Sequence, residues 1–200
     1  MGRWILRGAL VAFAATALAV GSWQLAQEPK AQALASPSVD GQPPTVIAGV
    51  AIPVLGVPPS AIKPTFNEAR AGHVHHALDI MAPRGTPVLA AVDGTIRKLF
   101  NSKAGGITLY QFDASETLVY YYAHLDRYAL GMREGIRVKR GEVLGYVGTT
   151  GNAPPNTPHL HFAIARLTAG KQWWKGEAID PYPILTTPAS TLPSLASGQD

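Results

Sequence analysis

The alternation of apolar and polar side chains is clearest late in the chain, at Thr157-Pro158-His159-Leu160-His161-Phe162-Ala163-Ile164-Ala165. At a period of two, Leu160, Phe162 and Ile164 fall on one face, and His159, His161, Ala163 and Ala165 on the other. This predicts a strand with one core face and one face presenting two imidazoles, flanked by residues too small to block a cleft. Comparable short stretches run over Pro87–Ala91, Gly94–Phe100, Gly106–Phe112, Thr117–His124 and Val143–Val147. Each is rich in β-branched or aromatic residues and bounded by Gly, Pro, Asn or Asp. A helical period is nowhere convincing beyond a turn or two near Pro59–Ile62. Strands at intervals of about ten residues predict an all-β fold, an antiparallel β-sandwich with a groove.

Two stretches share a phrasing. Ala82-Pro83-Arg84-Gly85-Thr86-Pro87-Val88 leads to Val92-Asp93-Gly94-Thr95-Ile96, and Glu134-Gly135-Ile136-Arg137-Val138 leads to Arg140-Gly141-Glu142-Val143-Leu144-Gly145. Each reads as strand, glycine turn and return strand. Ordinary hairpins explain this, and so does an internally repeated barrel-sandwich of the duplicated hybrid motif type.

The ends of the chain are different. Arg3 and Arg7 precede Gly8–Gln27, twenty residues without a charge. Residues 1–27 are therefore read as a secretory signal, with a small-x-small site at Ala19-Val20-Gly21, or as a retained membrane anchor with Trp23 at the interface. Both readings put the rest of the chain outside the cytoplasm, periplasmic or anchored at the inner membrane. Residues 28–44 mix Pro, Gln, Ala and Ser without a period and read as a linker. Residues 186–200 read as a frayed tail, which leaves 45–185 as the folded domain.

Composition narrows the chemistry. The chain has 20 Gly, 17 Pro and no cysteine, which excludes disulfides, thiolate zinc sites, cysteine nucleophiles and lipidation at cysteine. Residues 51–185 carry 14 Lys and Arg against 10 Asp and Glu, in no run of five or more. No nucleic-acid partner is expected from so scattered an excess.

All six histidines fall in three places: 73, 75 and 76; 124; and 159 and 161. In an extended segment His75 and Asp79 share a face. A carboxylate with imidazoles from distant strands makes an N/O donor set suited to Zn²⁺, and three protein ligands leave a fourth position for water. Spacing alone does not choose His75 over His73. The order His75-x-x-x-Asp79, Ala-Pro-x-Gly-Thr-Pro-Val, Tyr122-Ala-His124-Leu, Gly148-Thr-Thr-Gly-Asn and His159-Leu-His161-Phe resembles the LytM/lysostaphin-type zinc endopeptidases, which hydrolyse peptidoglycan. The resemblance runs from about Ile52 to Pro183.

Carried over by position, it implies one Zn²⁺ per chain on His75, Asp79 and His161, with His124 and His159 as catalytic histidines and peptidoglycan peptide stems as substrate. One of those two histidines is then expected to take a proton from the metal water, and the other to hydrogen-bond the oxyanion. The family usually has His-x-Gly-x-Asp, and this chain has Ala77 at the glycine, a strained choice if that position needs a positive φ. Some relatives have lost ligands and act as inert activators of cell-wall amidases, which is the alternative reading, although every ligand position is filled here. A barrel-sandwich carrier is a third reading, and it leaves Asp79 and the paired histidines unexplained. The Asn152–Thr157 loop is expected to form a groove wall. Trp173-Trp174 either stack on substrate or pin the closing Asp180–Pro183 segment.

Overall fold

The computed structural model describes residues 45–187 apart from 48 and 71. The expected signal or anchor, the linker and nearly all of the tail lie outside the described residues. In order, the strands are β1 (Val46–Ile47), β2 (Val50–Ala51), β3 (Ala69–Arg70), β4 (His73–Val74), β5 (Leu78–Met81), β6 (Pro87–Leu89) and β7 (Gly94–Ser102). They continue with β8 (Gly106–Asp113), β9 (Leu118–Tyr128), β10 (Arg137–Val138), β11 (Val143–Val147), β12 (His159–Leu167) and β13 (Gly176–Ile179). A 3-10 turn covers Pro59–Ala61, where the sequence predicts a helical turn. One six-residue helix, α1, covers Pro181–Thr186. Its first turn is set by the Asp180 carboxylate, which accepts from the Tyr182 N–H at 2.9 Å, and by Pro181 at the first position. None of these helices is long and apolar enough to cross a membrane.

Nine strands form one antiparallel sheet, in the order β10-β7-β8-β9-β11-β6, with β12 branching from β9 to carry β5 and β13. The all-β expectation holds. The long strand β9 is the fork. Its first half, through Ala123, pairs with β12, and its second half, from Leu125, pairs with β11. The two similar stretches seen in the sequence lie against each other, β6 on β11 and β7 on β10.

Strand β12 is held on both edges where the histidines lie. His161 pairs with Ala123 of β9 on one side and with Asp79 of β5 on the other. Its core face is as predicted, with Leu160, Phe162 and Ile164 buried against Leu78, Ile80 and Tyr122. Burying side chains of this size contributes roughly 1.5–3 kcal/mol each. The Tyr122 hydroxyl, at the centre of that core, donates to Gln111 Oε1 at 2.7 Å and accepts the Ala91 N–H at 3.0 Å. This core fixes the strand that carries the histidines.

Candidate metal centre and active site

The β5–β12 register sets Asp79 opposite His161, so both side chains rise from one face of the sheet. His75 reaches them differently from the extended path that the sequence suggests. The chain turns at His76, whose φ is +53°, before Ala77 is buried and β5 begins. The left-handed residue is thus His76, and the alanine at the family's glycine position carries no such strain. The His75 and His76 amides are tied back to the carbonyls of Glu68 and Phe66 at 3.0 and 2.9 Å.

Three ligand atoms converge. His75 Nε2 lies 3.0 Å from His161 Nδ1 and 3.1 Å from Asp79 Oδ1, and the third side of the triangle, His161 Nδ1 to Asp79 Oδ1, is 3.2 Å. Two ligands at the usual zinc distance in a tetrahedron stand about 3.3 Å apart, so the triangle is the size one such ion needs. Among the described residues this is the cluster able to hold a metal. His73 and His76 stay outside it; His76 packs its ring on Phe66 with 5.4 Å between centroids.

Thr65 braces two of the three ligands. Its carbonyl lies 3.0 Å from His75 Nδ1, and its hydroxyl accepts the Asp79 N–H at 3.1 Å while donating to the Ala77 carbonyl at 3.2 Å. With Nδ1–H committed to Thr65, His75 presents the Nε2 lone pair to the site, a tautomer fixed by the shell around the ligands. Burial lowers the His75 pKa. Burial alone would raise the Asp79 carboxyl, but the hydrogen bond and charge of His161, with His75 and His159, hold it well below the usual range. His75 is thus held toward its neutral imidazole and Asp79 toward its ionised carboxylate, the forms of those two groups that bind a cation.

His159 and His124 border the triangle. His159 Nε2 is 3.7 Å from Asp79 Oδ1, and its Nδ1 is 2.7 Å from the Thr157 carbonyl. The His124 ring stands 4.9 Å from that of His159 and 5.6 Å from that of His161. Strict alternation would not put it there. Ala123 faces His161 across the strands, so the next side chain should point into the core. His124 instead has a φ of +59° and its amide is given to the Gly105 carbonyl at 2.8 Å. It sits at the fork of β9, where a bulge re-aims the imidazole to the site.

The Gly148–Asn152 segment supports both rings. Gly148 bridges to His159, and the Thr150 carbonyl lies 2.8 Å from His124 Nδ1. Gly106 and Gly151, both at positive φ, let this segment close on the start of β8, because a Cβ on either would strike the facing backbone. Burial pushes the His124 pKa down to about 4, against the opposing Thr150 hydrogen bond. Both border histidines are deeply buried, at 6% exposure.

A shallow depression of about 370 Å³ adjoins His159, lined by Met81, Ala82, Pro83, Asn156, Thr157 and Pro158. Asn156 and Thr157, the end of the Asn152–Thr157 loop, form part of its edge. On the other side Tyr121 stands edge-on to His161 at 5.9 Å, and Tyr110 packs on Tyr121 at 4.5 Å. The ring contacts of Trp173 go to Tyr110, Phe100 and Trp174, so it caps β7 and β8. Among the described residues, no ring contact joins the tryptophans to Tyr182, the aromatic residue of the closing segment.

Residues 73–181, which span the whole histidine and aspartate constellation, match the model of peptidase family M23. The chain belongs to peptidase family M23. It is 32% identical over 131 residues to the L-Ala–D-Glu endopeptidase of Bacillus subtilis, covering 62% of this chain and 39% of the relative. It is 35% identical over 104 residues to the peptidoglycan DD-endopeptidase ShyC of Vibrio cholerae, covering 52% and 22%. The solved structure of LytU superposes with a TM-score of 0.51 at 31% identity, over 62% of this chain and 82% of that one. The chain thus spans well under half the length of these two curated relatives. The LytM/lysostaphin resemblance and the antiparallel fold it implies stand.

Two residues of this M23 site escape sequence reasoning, Thr65 and Arg70. Arg70 Nη2 donates to Asp79 Oδ2 at 2.8 Å. Neither belongs to the quoted motifs, and an isolated Thr or Arg ahead of a histidine cluster carries no spacing signal.

Proposed function

We propose that this chain is a zinc-dependent endopeptidase of the cell envelope that hydrolyses peptide cross-links of peptidoglycan. The observation that carries this is the triangle of His75, Asp79 and His161 ligand atoms, 3.0–3.2 Å on a side, with two further imidazoles turned toward it. The complete donor set favours hydrolysis over the inert, amidase-regulating reading. One zinc held there would supply Lewis acidity and a readily ionised water.

The residues of the chain do the rest. With Nδ1–H donated to Thr157, His159 presents Nε2 as an acceptor on the Asp79 side of the site. The Asp79 carboxylate stabilises the imidazolium formed when His159 takes the proton of the attacking water. His159 can then return that proton to the leaving amine. His124 likewise gives Nδ1–H to Thr150 and keeps Nε2 as an acceptor. A ring pushed down to about 4 resists a second proton, so His124 suits holding water or a substrate N–H. An oxyanion would need a donor at that nitrogen. The general base is therefore assigned to His159.

The names of the relatives differ in the bond they specify, L-Ala–D-Glu in one and a DD bond in the other. For this chain the cross-link between stems, of the D-alanyl–diaminopimelate kind, is the proposed target, reached after export directed by residues 1–27. Incubating purified protein with sacculi tests the reading. Muropeptides should be released by the wild type and not by His161→Ala, whereas release by both would contradict it.

A further inference from the structure

The two oxygens of Asp79 are used separately. Oδ1 faces His75 and His161, while Oδ2 accepts a hydrogen bond from Arg70 Nη2 at 2.8 Å. The same Nη2 donates to Glu68 Oε2 at 3.0 Å, which pins the guanidinium between two carboxylates. It also approaches His75 Nδ1 at 3.4 Å. That nitrogen's hydrogen is committed to Thr65, so Arg70 forms no bond there. Arg70 lies on β3, and β3 pairs with β4, the strand that leads into His75. A single short hairpin thus delivers one ligand and restrains another.

We propose that Arg70 is a positioning residue that restricts Asp79 to a one-oxygen ligand of a divalent cation held with His75 and His161. This rests on the reading of those three residues as a metal site. A carboxylate free at both oxygens can bind an ion through one or both, or rotate away from it. Holding Oδ2 on Arg70 removes both options and aims Oδ1 at the imidazole nitrogens.

Two effects of removing Arg70 oppose each other. Loss of a nearby positive charge draws a cation in, whereas loss of the restraint lets the carboxylate swing out. Partners around a metal's ligands typically change affinity by 10–100-fold when mutated, and orientation is taken to dominate here. A merely structural role makes a different forecast. The Arg70 side chain is 39% exposed, and ion pairs at such positions contribute little to folding.

The test is the zinc dissociation constant of the full chain, measured by competition with a chromogenic chelator for wild type, Arg70→Ala and Arg70→Lys. Thermal melting of each metal-free form accompanies it. Arg70→Ala should bind zinc 10–100-fold more weakly with little change in melting. Arg70→Lys, which keeps the positive charge and a donor nitrogen, should recover most of the loss. Arg70→Ala binding zinc as tightly as wild type, or more tightly, overturns the proposal. If Arg70→Ala does not fold, Arg70→Gln compared with Arg70→Lys decides by the same criterion. A wild type that binds no zinc overturns the metal reading itself, which separates that failure from a failure at Arg70.

Discussion

The carbonyl oxygen of Thr65 stands 3.0 Å from Nδ1 of His75. Through its hydroxyl the same residue also holds the Asp79 amide, so one buried threonine sets the tautomer of one ligand and the backbone of another. Thr65→Val keeps the shape and removes the hydroxyl. It leaves the Asp79 N–H without its acceptor and should lower stability by about 1–3 kcal/mol. Denaturant unfolding of the metal-free protein checks this, and an unchanged midpoint would remove the Thr65 hydroxyl from the account.

The border histidines and the ligands should separate cleanly by mutation. His159→Ala should retain zinc and lose roughly 10²–10⁴-fold in turnover, the range for a general acid–base group. His161→Ala should lose the zinc. Metal content by atomic emission beside peptide release distinguishes them, and a zinc-loaded His159→Ala with wild-type turnover would end the assignment.

Acid should weaken the metal-free fold in a defined window. His124 has its pKa lowered from 6.5 to about 4, and burial lowers His75 as well. Between those two pH values the unfolded chain binds more protons than the native one, so stability rises with pH across the window and falls on acidification through it. Asp79, held well below the carboxylate range, adds stability that is present above its unfolded pKa and lost only at lower pH. Urea midpoints from pH 7 to 4 should decline, and His124→Gln should flatten the decline. An equal slope in that variant would contradict the assignment.

Trp173 and Trp174 should differ. Trp173 caps Tyr110 and Phe100, whereas Trp174 is 61% exposed. Trp173→Ala should lower the melting temperature, and Trp174→Ala should stay within about 0.5 kcal/mol of wild type. Equal losses would show that the two rings act as one structural unit.

Much of the site is legible in the sequence because it rests on alternation. Leu160, Phe162 and Ile164 bury as a period of two requires, and that places His159 and His161 together on the opposite face. His124 is recognisable only by motif, since alternation from Ala123 would send it into the core and the bulge at the fork of β9 reverses it. The same holds for His75, where the left-handed turn at His76 replaces the extended path. Strand β13 leaves little trace, being largely exposed. Thr65 and Arg70 are illegible for another reason. Their roles exist only through contacts 9–14 residues away in the chain, with no period to announce them.

The most direct measurement is digestion of purified sacculi by the wild-type protein, with chelator and with zinc restored, read by mass spectrometry of the released fragments. The account predicts new amino termini within the peptide cross-links, abolished by chelator and recovered with zinc. Cleavage between sugar and peptide, or cleavage that chelator leaves untouched, would contradict it.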